Sequence, residues 1–100
     1  MSKVKHIALL KFKDGTSEEQ INKLFDELLD LSESVDGIED YVSGNNTSPE
    51  GKSAGYSHAF IMTFRDSAAR DAYLGHAEHQ TFQAHAAEVV DSVVVVDFEV

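Results

Sequence analysis

Between Asp71 and Phe82 a phenol and two imidazoles fall within seven residues, as Tyr73, His76 and His79. Imidazole titrates near neutrality and can take or give a proton, while a phenol can donate a hydrogen bond to a carbonyl oxygen. A Tyr and a His facing one cavity can therefore enolise a carbonyl compound or close it into a ring. The same residues satisfy a plainer reading, in which His76 caps a helix or lies on the surface and Tyr73 and His79 hydrogen-bond one another beneath the helices. Of the other three histidines, His6 points with Ala8 and Leu10 and is either a core histidine or a cavity wall. His58, with Tyr56, reads as structural, and His85 as packing. His76 and His79 stand at i, i+3 with Glu78 between them, which misses the i, i+4 spacing of a helical HExxH zinc site, so no metal is expected. There is no GxGxxG, P-loop or GxSxG pattern, so no cofactor is expected either.

These groups sit in a chain of 100 residues, 42% of them hydrophobic, with six glycines and one proline. That composition predicts a single domain over residues 1–100. A domain of this size buries only about 65% of the surface its unfolded chain exposes, so it gains from association. Eight Lys and Arg against eighteen Asp and Glu give a net charge of −10, which repels nucleic acid and anionic membranes. With no cysteine there is neither a disulfide framework nor a thiolate nucleophile. The opening residues lack the apolar run of a secretory signal, and no stretch approaches a membrane span. The expected setting is soluble and cytoplasmic.

The elements that must position the site follow from periodicity. Residues 4–13 alternate as a strand, with Val4, His6, Ala8, Leu10 and Phe12 on one side. Ser17 and Gln20 form a capping box, and a helix follows whose apolar stripe is Ile21, Leu24, Phe25, Leu28, Leu29 and then Ser32 or Val35, closing at Gly37. Residues 38–42 predict a short strand, 43–53 an exposed loop, and 55–64 a further strand with Tyr56, His58, Phe60, Met62 and Phe64 on one face. Asp66 or Ser67 caps a short helix through Tyr73, and Gly75 separates it from a second piece over 77–91 with Phe82, His85, Ala86, Val89 and Val90 buried. The run Val93 to Val96 suits a last strand covered on both sides. The order β, α, β, β, broken α, β is that of an α+β ferredoxin-like split βαβ fold with a four-stranded antiparallel sheet.

In such a fold the helices cover one sheet face. The other would here carry Ile7, Leu9, Ala59, Ile61 and one set of the Val93 to Val96 run. If these side chains span on the order of 400 to 600 Å², leaving them in water forfeits roughly 10 kcal/mol at about 25 cal/mol per Å², an upper bound. That rivals the stability of a whole small domain. A homodimer stacking the two open faces removes the cost.

Several segments together are similar to the stress-responsive A/B barrel (Dabb) family: Val4, Lys5 and His6 opening the first strand; Gly55 to Phe60 ahead of Thr63 and Phe64; Tyr73, Leu74, His76, His79 and Phe82 in order; and Val95 to Phe98. The resemblance implies a dimeric α+β barrel. Many members are stress-induced dimers, and one plant branch cyclises a linear polyketide by aldol condensation with a Tyr and a His at the positions of Tyr73 and His79. It further implies a cavity histidine at His6 and cavity positions at Ala8, Leu10, Leu24, Leu28, Phe60, Val90 and Val95. Where that cyclase has larger aromatic residues this chain has Leu28 and Val90, which suggests a different ligand. Some plant members hold a cation at carbonyls near the positions of Ser32, Val35 and Ile38.

The leading expectation is a homodimer with a sheet-to-helix cavity that binds a small apolar or carbonyl-bearing molecule. If it turns over, His79 is the general base, Tyr73 the hydrogen-bond donor to an enolate and His6 an auxiliary orienting group. The rivals are a heat-stable, non-catalytic stress protein, and a relative of cofactor-free monooxygenases or haem-degrading enzymes with His76 or His79 as axial ligand.

Overall fold

A computed structural model describes residues 2–100; Met1, counted in the single domain above, lies outside the described residues. The elements are β1 (Val4–Phe12), α1 (Glu18–Ser34), β2 (Ile38–Asn45), β3 (His58–Phe64), α2 (Ser67–Leu74), α3 (Ala77–Val89) and β4 (Val90–Glu99). The four strands pair antiparallel in the order β2-β3-β1-β4, so β3 lies between the two strands that α1 connects. This is the ferredoxin-like α+β arrangement.

Local chemistry sets the helix ends. The Ser17 hydroxyl accepts from the Gln20 amide at 3.1 Å while the Gln20 side chain accepts from the Ser17 amide at 2.9 Å, a complete capping box. Gly37, at φ +92°, turns the chain where a side chain would be doubly penalised: a Cβ there would lie 2.7 Å from that of Ala69. Asp66 caps α2 by accepting from the Ala69 amide at 2.8 Å.

The core lies between the helices and one sheet face. Tyr73, Phe64, Leu28, Met62 and Val4 are its largest fully buried members. Along α1 the buried stripe is Ile21, Leu24, Leu28, Leu31 and Ser32. Leu29, expected inside, is 44% exposed, because steps of three and four from Leu24 through Leu28 lead to Leu31 and leave Leu29 about 100° round the helix. His85 is also exposed rather than packed, its Nδ1 lying 2.8 Å from the nearer Glu27 oxygen.

Three boundaries differ from those the sequence suggests. β2 runs on to Asn45, since Ser43, Gly44 and Asn45 pair with Phe60, Ala59 and His58 through backbone groups that need no apolar side chain. β3 starts at His58 because residues 53–56 form a turn, closed by the Tyr56 amide on the Ser53 carbonyl at 3.0 Å. β4 starts at Val90, directly after α3, with a register shift opposite Lys11 and Phe12.

The uncovered sheet face is apolar. Register places Val96 beside Ile7 and Val94 beside Leu9, with Ile61 between Ile7 and Val42. Val42, Val94, Val96 and Phe98 are all exposed in the single chain. Val93 to Val96, expected to be covered on both sides, are 39 to 55% exposed here: β4 is an edge strand, Val94 and Val96 lie on the open face, and the helices stand off Val93 and Val95 on the other. Among the described residues no helix is long and apolar enough to cross a membrane.

Candidate functional site

Between the helices and the β1 and β4 half of the sheet lies a cavity of about 390 Å³. His6, Ala8 and Leu10 reach it from β1, since alternate residues of a strand share a face. Phe60 comes from β3, Leu24 from α1, and Val90, Val93 and Val95 from β4. Tyr73 from the end of α2 and His79 and Phe82 from α3 close it. Its volume falls within the ordinary range of small-molecule sites. Leu28 does not line it; that side chain is fully buried in the core beneath.

The break between α2 and α3 creates the polar end. Tyr73 is one residue from the end of α2, Gly75 follows Leu74, and His76 starts α3 by accepting the Glu78 amide on its own Nδ1 at 3.0 Å. His76 is thereby a cap, and it does not line the cavity. One turn on, His79 brings its ring to 4.3 Å from that of Tyr73, and the His6 ring lies 6.0 Å from Tyr73. The two residues do not bond each other. His79 Nδ1 lies 3.2 Å from the Leu74 carbonyl, which can only accept, so Nδ1 carries the proton. Among the described residues no hydrogen bond engages the Tyr73 hydroxyl.

Burial shapes both groups. It pushes the Tyr73 phenol well above its ordinary value, with a smaller push from Tyr41, so Tyr73 is a donor and not a base at neutral pH. It pulls His79 below the ordinary imidazole value, opposed by the Leu74 carbonyl and helped by His6, so His79 stays neutral and able to accept a proton.

Two residues that the sequence did not single out stand behind His6. Its Nδ1 meets Asp97 Oδ1 at 2.8 Å, and Asp97 Oδ2 meets Arg70 Nη1 at 2.8 Å. The available signal was a carboxylate following four valines at the parity of Val93 and Val95. Arg70, on α2, carried none.

Other sites are less suited to a ligand. A surface concavity of about 500 Å³ between α1 and α3 is lined by Asp26, Glu27, Asp30, His85 and Glu88 among others, a solvated charged groove. His58 stacks on Phe25 at 5.6 Å and meets the Phe12 edge at 5.2 Å, a structural cluster. Ser32 donates to the Leu29 carbonyl at 2.7 Å, and the Val35 amide closes α1 on Leu31 at 3.0 Å. Among the described residues no group of three or more His, Asp or Glu side chains could hold a metal ion.

Comparison with known proteins agrees with this architecture. The chain is 32% identical over 96 residues to the stress-response A/B barrel domain-containing protein HS1 of Arabidopsis thaliana, covering 96% of this chain and 88% of that one. It is 30% identical over 79 residues to olivetolic acid cyclase of Cannabis sativa, covering 79% and 78%. A dimeric ferredoxin-like protein of Jannaschia superposes with a TM-score of 0.87 at 29% identity, covering 98% and 99%. Residues 4–100 match the family described as the stress responsive A/B barrel domain, and the chain belongs to that family.

Proposed function

We propose that this chain is a homodimer that binds a small, neutral, carbonyl-bearing molecule in the cavity and moves a proton on it. The observation that carries this reading is Tyr73 beside two imidazoles, 4.3 Å from His79 and 6.0 Å from His6, at the wall of one cavity. The Tyr73 hydroxyl donates to the carbonyl oxygen, and neutral His79 takes a proton from the adjacent carbon through Nε2. The electron pair left on carbon delocalises to the oxygen that Tyr73 holds. Return of the proton from His79 to carbon completes the cycle; alternatively the enolate carbon attacks a second carbonyl of the same molecule, the π bond of that carbonyl breaks onto its oxygen, and His79 returns its proton to the resulting alkoxide, which closes a ring. The similarity to olivetolic acid cyclase supports this class of chemistry.

The lining favours a neutral ligand. Among the described residues it includes Asp91 but no Lys or Arg, and the chain carries a net charge of −10. Ala8, Leu10, Ala86 and Val95 offer an apolar berth for a tail.

Dimerisation through the open sheet face is the second part of the proposal. Val42, Leu9, Val94, Val96 and Phe98 are each at least 37% exposed in the single chain, and the Jannaschia protein with this fold is described as dimeric.

The test is deuterium uptake at the central carbon of an alkyl-tailed 1,3-diketone. The expected result is uptake faster than in buffer, lost in Tyr73→Phe and His79→Gln. A rate no faster than free imidazole supplies overturns the catalytic reading and favours the non-catalytic stress protein.

A further inference from the structure

The geometry points to Arg70 and Asp97 as positioning residues that lock His6 as its Nδ1–H tautomer, so that Nε2 is the nitrogen presented to the cavity as a proton acceptor. The inference deepens the reading above by fixing the polarity of a second imidazole: whatever group meets His6 must bring a proton.

His6 Nδ1 and Asp97 Oδ1 lie 2.8 Å apart, and His6 is 5% exposed. A carboxylate has only acceptor capacity, so the ring nitrogen facing it must be the donor. The carboxylate is held as such from its other side. Arg70 Nη1 donates to Asp97 Oδ2 at 2.8 Å, while Arg70 Nε is fixed at 2.8 Å on Asp71 Oδ1. A guanidinium braced by two carboxylates cannot turn to offer anything but N–H groups. Arg70 and His6 therefore both donate to Asp97, one to each carboxylate oxygen. His79, with Nδ1 committed to the Leu74 carbonyl, shows the same polarity. The two imidazoles thus offer acceptors to the cavity, and Tyr73, which lines it with them, offers the donor.

Arg70 gives the lock a specific signature. In Asp97→Asn the new amide must turn its oxygen to Arg70, whose contacting atoms only donate, which leaves its NH2 group facing His6 Nδ1. That nitrogen must then accept, and the proton moves to Nε2. Replacing Arg70 as well removes the constraint, lets the amide flip, and restores Nδ1–H.

Imidazole nitrogen NMR on 15N-labelled protein at alkaline pH reads this directly and needs no ligand, so its failure is separate from any failure of the cavity to bind. The wild type is expected to show His6 as the Nδ1–H form, Asp97→Asn the Nε2–H form, and Asp97→Asn with Arg70→Met a return of Nδ1–H. Should Asp97→Asn fail to fold, Arg70→Met alone decides: it retains the Nδ1–H form but exchanges that ring proton faster with solvent. A wild-type His6 in the Nε2–H form or an even mixture overturns the proposal. So does a tautomer indifferent to Asp97→Asn, or a ring-proton exchange rate indifferent to Arg70→Met.

Discussion

Asp97 is the register partner of His6 across the β1 and β4 ladder, and the two side chains meet at 2.8 Å on the sheet face that the helices cover. Directly opposed residues of antiparallel strands project to the same side, so the contact follows from the pairing itself. His6 lines the cavity beside Tyr73, and Asp97 stands behind it.

Tyr73→Phe keeps the buried ring and removes only the donor. Diketone exchange should fall by about two orders of magnitude or more, the scale of a lost acid or base group, with a melting temperature within a few degrees of wild type. Parallel kinetics and thermal melts check this, and a rate that survives removes Tyr73 from the mechanism.

Burial lowers the His79 value in the fold, so its neutral form is favoured there relative to the unfolded chain. As pH falls below the ordinary imidazole value of about 6.5, the unfolded state takes up the proton first, and stability is lost progressively down to the lowered folded value. The loss in melting temperature between pH 7.5 and pH 5.5 should be smaller in His79→Gln. Equal losses in the two proteins would contradict the assignment.

Leu28 is fully buried in the core and not at the cavity. Leu28→Ala should therefore cost roughly 2 to 5 kcal/mol, or roughly 10 to 30 °C in melting temperature. A cavity position would lose far less stability while changing ligand size preference, so denaturant titration separates the two placements.

The Tyr41 hydroxyl is buried without a partner, and burial raises its proton affinity despite the nearby Ser43. Tyr41→Phe deletes an unsatisfied group and keeps the ring that packs 6.1 Å from Phe60. It should stabilise the fold by about 1 kcal/mol. Destabilisation would mean the hydroxyl is satisfied in solution.

Val96 is 55% exposed on the open face, on the edge strand β4 beside Ile7. Sedimentation should give the wild type as a particle of twice 11.0 kDa and Val96→Glu as a folded single chain, because two-fold symmetry would bury a pair of new carboxylates. A wild type that stays single at micromolar concentration removes the dimer.

The sequence by itself determined the kind and order of the elements. Period-two alternation from Val4 to Phe12 assigns faces whatever the strand pairs with, and Ser17 with Gln20 marks a helix start through contacts three residues apart. The open face was legible for the same reason, since apolar residues at both parities of β1 and β3 cannot all face one helical layer. Only the tertiary structure decided which distant groups meet. Alternation fixes a face but not a register, so nothing local could align Asp97 with His6 across 91 positions, or bring Arg70 behind both. The docking of α1 drew Leu28 into the core instead of the cavity. A cavity is a volume that neighbouring elements leave unfilled, and its size depends on the packing of all of them together.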